Sequence, residues 1–177
     1  MGGDQADWTE AVGTLGDRER AEPARTFDGT SPGTSHCGIY SWWADEAARR
    51  QIGQALRTDI APLIYVGKTE QTLKRRVLRS HLRGSIRNST FRKSLTAILK
   101  ADPELAAQHP APDVRAWREV LSDWMRQHLA VVVAPVEKAR LREAEQAALD
   151  HYDPPLNLQQ MPRTPARTKL SELRRRL

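Results

Sequence analysis

The sequence predicts an α/β (α+β) fold: a small central antiparallel or mixed three-stranded β-sheet flanked by helices. Three observations carry this. Apolar, strand-like runs occur at 37–43, 63–66 and 129–133. Apolar residues at helical spacing fill most of the chain between and after them. No internal repeat is present, and two early strands, a block of helices, a late strand and a final helix suit helices packed on a small mixed sheet.

The elements follow in order. Residues 1 to about 34 are rich in Gly, Asp, Arg, Thr and Pro. They are expected to be mobile or loosely docked, with a short helix over 8–15. Residues 37–43 alternate so that Tyr40 and Trp42 face one side of a strand and Ile39 and Trp43 the other. Asp45 caps a helix running to about Arg57, because Ala48, Ile52 and Leu56 recur at helical spacing. Pro62 ends that pattern, 63–66 forms the second strand, and Gly67 permits a close backbone approach. Helices are expected over 72–82, from Ser89 or Thr90 to residue 100, and over 114–128. The last of these buries Trp117, Leu121, Trp124 and Met125. The run 129–133 reads as a buried strand, and a helix over 137–152 is stopped by Pro154-Pro155. The tail from Met161 carries Arg163, Arg167, Lys169 and Arg174 to Arg176 and is expected to end in a solvated helix.

Bulk composition narrows the function classes. The 177 residues suit one domain with a substantial core. No stretch approaches the roughly 18 consecutive apolar residues of a membrane span, and no basic start followed by an apolar run suggests a secretory signal. Cys37 is the only cysteine, and the five histidines have no zinc-ligand spacing. The expected setting is a reducing cytoplasm, without membrane contact. The net charge of +6 makes a polyanion a natural partner. Its distribution says more: ten basic residues lie from Lys68 to Lys100, against Glu70 as the sole acid. From Asp113 to Asp153 acids slightly outnumber bases. Of the 28 basic residues 22 are arginine, which suits bidentate phosphate contacts.

Two phrases, Gly38-Ile39-Tyr40 and Tyr65-Val66-Gly67, each place a tyrosine on a strand-like run. Arg76 lies eleven residues after Tyr65, and His81 follows it. Glu145 sits on the 137–152 helix, and Asn157 comes twelve residues later, after Pro154-Pro155-Leu156. In this order the residues resemble the GIY-YIG nucleases, over 38–157. The chain departs from that pattern in two ways: a helix separates the two tyrosine strands, and the interval from arginine to histidine leaves Arg75 as an alternative to Arg76. On an α-helical wheel at about 100° per residue, Arg75, Arg76, Arg79 and Arg83 share a face. His81 instead falls nearer Leu73 and Val77, so either the helix ends before His81 or His81 is partly structural.

The resemblance implies a divalent-metal-dependent endonuclease in which Glu145 holds one Mg²⁺ or Mn²⁺, with water and phosphate completing its coordination. It implies Arg76 on the scissile phosphate, Tyr40, Tyr65 and Lys68 about the attacking water, and His81 and Asn157 as further site residues, Asn157 through anchoring hydrogen bonds. Tyr40 is the favoured base, with Tyr65 and Lys68 assisting. A phenol has a pKa near 10, so this role needs nearby cations to lower it. The expected domain plan is an N-terminal segment 1–34, a catalytic domain 35–160 with helical insertions at about 44–58 and 101–128, and a basic tail 161–177. Candidate nucleic-acid contacts are Arg75, Arg79, Arg83, Arg87, Ser89, Thr90, Arg92 and Lys93, while Trp42 and Trp43 are expected to pack in the core. The expected partner is double-stranded DNA, with sequence reading of the restriction type assigned to 84–128 and a homodimer as an option. The competing readings are a non-catalytic nucleic-acid-binding module working with a partner, a nuclease acting on RNA or branched DNA, and a structural domain whose basic segment is merely solvated.

Overall fold

The computed structural model describes residues 4–110 and 116–177. Its sheet has four strands, β1 (Glu22–Pro23), β2 (Gly38–Ala44), β3 (Leu63–Thr69) and β4 (Leu129–Pro135), in the order β1-β4-β2-β3. Every pairing is antiparallel. The three expected strands are therefore present: β2 is shifted by one residue, and β3 and β4 run further than expected. The additional β1 is a two-residue strip on the edge of β4, where a proline costs no ladder hydrogen bond.

The sheet separates two apolar layers. Tyr40, Trp42 and Ala44 of β2 point into the larger one, against α2 (Glu46–Leu56), α4 (Thr90–Lys100), α6 (Trp117–His128) and α8 (Pro165–Arg175). Ile39 of β2, Val66 of β3 and Val132 of β4 point the other way, against α1 (Asp4–Leu15) and α7 (Leu141–Tyr152). The alternation read from 37–43 is thus the division of the core. A short helix α5 (Pro103–Gln108) was not anticipated; Asp102 caps it and also accepts from Gln51 Nε2 at 2.6 Å. The start expected for α6 at Val114 lies outside the described residues.

Both terminal segments are more firmly held than their composition suggests. In α1, Ala11, Val12 and Leu15 are buried on the sheet. Tyr152 Oη donates to the Val12 carbonyl at 2.8 Å, and Ser41 Oγ donates to that of Leu15 at 2.8 Å. The tail helix α8 is not solvated: Leu170 and Leu173 are buried, and so is Arg167 between them and the preceding loop. No helix among the described residues is long and apolar enough to cross a membrane.

The segment 72–82 forms one rod with two geometries. Thr72 caps a short α3 (Leu73–Arg75), which continues without a break as a π-helix over Arg76–Leu82. Wider turns of this kind occur mostly as short insertions at functional sites.

Candidate active site

The two glycines of the tyrosine phrases are required by packing. Tyr40 on β2 is paired across the sheet with Gly67 on β3, and its ring lies over that glycine. A Cβ on Gly67 would stand 2.5 Å from Tyr40 Oη. At Gly38 a Cβ would meet the Ala134 carbonyl oxygen of β4 and the side chain of Leu73. Each phrase is thus a tyrosine together with the space that another group needs.

The hydroxyl of Tyr40 is held from two sides. Arg76 Nε donates to it at 3.1 Å, and His81 Nε2 lies 2.8 Å away. The other ring nitrogen of His81, Nδ1, is 2.9 Å from Ser89 Oγ, which also accepts from the Arg92 backbone N–H as the cap of α4. On a regular α-helix Arg76 and His81 would point roughly 140° apart. The π-helix bonds residue i to i+5, which brings positions five apart toward one face. Arg76 and His81 therefore converge on one oxygen; the rod does not end before His81, and the histidine is buried, joining the Tyr40 hydroxyl to the Ser89 cap. Arg75, on the same rod, is exposed. Of the two, Arg76 is the one that reaches the Tyr40 hydroxyl.

Burial governs the protonation of this group. It holds the fully buried His81 imidazole well below the usual histidine range, with Arg76 and Arg92 adding to the effect. His81 is therefore neutral, and a neutral imidazole has one donor and one acceptor nitrogen to match Tyr40 and Ser89. Burial also pushes the Tyr40 phenol up, and the neighbouring Arg76 only partly opposes it. The expected lowering of the tyrosine by cations is thus outweighed by desolvation. Tyr65 is raised by burial as well, and its hydroxyl is 3.3 Å from Thr90 Oγ1.

Beside this cluster lies a cleft of about 210 Å³ whose polar lining includes Tyr65, Lys68, Thr90, Glu145, Asn157 and Arg174. Lys68 Nζ and Glu145 Oε2 form an ion pair in it, with side chains 29% and 17% exposed. Tyr40 does not line this cleft and is fully buried. Asn157 closes the free edge of β3 by pairing with Val66 as another strand would. Its Oδ1 accepts from Val66 N–H at 2.9 Å, and its Nδ2 donates to Val66 O at 2.8 Å.

The residues expected to meet nucleic acid divide into two sets. Arg75, Arg79, Arg83, Arg87 and Thr90 are exposed, and Lys93 is half-buried. Ser89 and Arg92 are buried at 1% exposure and cannot present themselves to a duplex. Arg92 instead spans the core: Nη1 donates to His81 O at 2.6 Å, and Nη2 to Arg118 O at 2.8 Å and Ser122 Oγ at 3.1 Å. Burial lowers its pKa to about 10. A charge run read from sequence does not separate a buried arginine from exposed neighbours; the alternation with Phe91 and Leu95 was the available signal.

Arg174 was not singled out from sequence as a site residue. It reaches the cleft because α8 is anchored by Arg167, which donates from Nε to Asn157 O at 3.0 Å and from Nη2 to Asp153 Oδ1 at 2.5 Å. The spacing 167, 170, 174 is one helical face, and that pattern in the tail was the missed sign. Among the described residues no three His, Cys, Asp or Glu side chains converge as a metal-binding group.

A family model described as the GIY-YIG catalytic domain matches residues 38–176. No curated protein matches, and no solved structure matches.

Proposed function

The chain belongs to the GIY-YIG nuclease family, and from that premise we propose that it is a divalent-metal-dependent endonuclease that hydrolyses phosphodiester bonds in DNA. One observation supports this most: a lone carboxylate, Glu145, faces a cleft shared with Tyr65 and Lys68, next to the Arg76–Tyr40–His81 cluster. The donor chemistry fits a hard cation. Glu145 offers Oε1, which has no partner among the described residues, and Mg²⁺ keeps several waters when few protein ligands are present. Bound there, Mg²⁺ or Mn²⁺ would supply charge neutralisation at the phosphate.

The remaining steps fall to the chain's own side chains. Arg76 keeps Nη2 unbonded among the described residues while Nε holds Tyr40 and Nη1 donates to Asn88 O at 3.3 Å. It is half-buried and can turn that free edge toward the charge that grows on the phosphate. Moving to the phosphate uncovers Tyr40 Oη, which in its ionised form takes the proton of the attacking water. Tyr65 and Lys68 orient that water from the cleft. Asn157 and Ser89 hold the frame. Because burial raises the Tyr40 phenol, its reactive form is scarce at neutral pH. The rate should rise about tenfold per pH unit from pH 6 to 9. A flat profile would remove Tyr40 as the base.

The exposed face carrying Arg75, Arg79, Arg83 and Arg87 supports DNA as the partner, through contacts that weaken steeply with salt. The decisive experiment incubates supercoiled plasmid and phage DNA with Mg²⁺ and either the wild-type protein or Glu145→Gln. The wild type should cut, and the variant should bind without cutting. Discrete bands would support sequence reading of the restriction type. Clean double-strand breaks would require a homodimer or two successive visits, since one such site cuts one strand. If neither protein cuts DNA while both retard it, catalysis on DNA is wrong, and cleavage of RNA or a branched substrate then separates a different nuclease from a pure binding module.

A further inference from the structure

The cleft holds more positive charge than it neutralises. Lys68 and Glu145 balance one another, while Arg76, in the adjoining cluster and not in the lining, is hydrogen-bonded only to neutral groups, the Tyr40 hydroxyl and the Asn88 carbonyl. Arg174, half-buried in the same lining, has no hydrogen-bond or ion-pair partner among the described residues. Two guanidinium groups are left for anions, and a half-buried cation without a partner is costly unless an anion arrives.

We propose that Arg174 is a second phosphate-binding arm of the cleft, which seats the phosphodiester adjacent to the scissile one on the cut strand. The proposal rests on the nuclease reading of the same site. The arm is held in place. Arg167, seven residues earlier on the same face of α8, makes bonds to Asn157 O, Pro154 O and Asp153 Oδ1. Asn157 in turn is paired with Val66 of β3, so α8 and the strand bearing Tyr65 and Lys68 form one frame. Leu170 and Leu173 lock the helix into the core. Burial disfavours the bare Arg174 guanidinium. A phosphodiester, planar on its oxygen edge and singly charged, matches a guanidinium fork.

The test uses a fluorescein-labelled duplex and the full chain. In a Glu145→Gln background, anisotropy titrations over a NaCl series give the slope of log affinity against log salt. Arg174→Met should lower that slope by about 0.9, the value of one lost phosphate contact, and weaken affinity roughly ten- to hundredfold. Arg174→Lys should recover the slope but not the full affinity. Arg175→Met, the exposed neighbour, should change neither, and thermal melts check that all variants fold. An unchanged slope and affinity in Arg174→Met overturns the proposal, as does an equal loss in Arg175→Met, which would mean diffuse tail charge. If the wild type cuts DNA and Arg174→Met binds unchanged, the second arm alone is wrong. If the wild type neither cuts nor binds nucleic acid, the nuclease reading falls and takes this proposal with it.

Discussion

His81 should make the fold acid-sensitive in a window where carboxylates are still ionised. Burial, with Arg76 and Arg92 nearby, holds the folded imidazole well below its usual range, while in the unfolded chain it titrates near 6.5. The unfolded state therefore binds more protons below that pH, and stability falls as pH drops. Between pH 7 and pH 5 the loss is about 2 kcal/mol, from 1.36 kcal/mol per unit over about 1.5 units. That is a large part of a typical 5–15 kcal/mol total. The assay is urea unfolding at constant ionic strength, followed by the fluorescence of the buried Trp42, Trp117 and Trp124. His81→Gln cannot titrate. It should be less stable than wild type at pH 7, having lost its bonds to Tyr40 and Ser89, but its stability should fall about 2 kcal/mol less on going to pH 5. The other four histidines and all carboxylates are common to both proteins, so they cancel in this comparison. Equal losses in the two proteins would refute the assignment of a buried, neutral His81.

Three further outcomes are expected. Arg76→Ala should lower the cleavage rate about 10²- to 10³-fold with little change in duplex affinity, because its charge is needed mainly in the transition state; single-turnover rates beside anisotropy titrations check this. Gly67→Ala would bring a methyl against the Tyr40 ring, cost about 1–3 kcal/mol by overpacking, and reduce cleavage more than binding, as melts and rates would show. Arg92→Met should cost about 1–3 kcal/mol, because the His81 and Arg118 carbonyls and Ser122 Oγ lose their donor, and Arg92→Ala should lose more, through the cavity it adds. Neither should alter the salt slope of DNA binding, in contrast to a substitution at the exposed Arg87.

The residues whose roles depend on local pattern were legible in the sequence. Alternation in 37–43 placed Tyr40 and Trp42 on one face and Ile39 on the other, and Asp45 was readable as a cap, because both follow from fixed backbone periods. What depends on long-range packing was not. The polar composition of 1–34 hid the buried edge of Ala11, Val12 and Leu15, three residues that acquire value only when a sheet lies opposite. The tail read as solvated because its arginines outnumber its leucines, yet Arg167 is buried, donating to carbonyls that the preceding loop turns toward it. The π-helix is the instructive case. An assumed α-helical wheel set His81 against Arg76, and nothing in 76–82 announces the wider turn.

That turn is what ties the site to the rest of the molecule. Tyr40 on β2 bonds to His81, His81 to Ser89, and Ser89 caps α4 through the backbone of Arg92. The guanidinium of Arg92 then grips the His81 carbonyl and, on α6, Arg118 O and Ser122 Oγ. The chain of bonds runs unbroken from the central strand to a helix within the stretch first read as an insertion. Tyr40, His81, Ser89, Arg92 and Ser122 are all buried, so a missing partner among them would leave an unsatisfied polar atom, at about 1–3 kcal/mol. A change on α6 at Ser122 is therefore transmitted to the orientation of the His81 ring, and from there to the one hydroxyl that Arg76 and His81 share. The helix rests on the Arg76–Tyr40–His81 cluster as part of its support, which explains why an arginine in the middle of a basic run is turned to the interior.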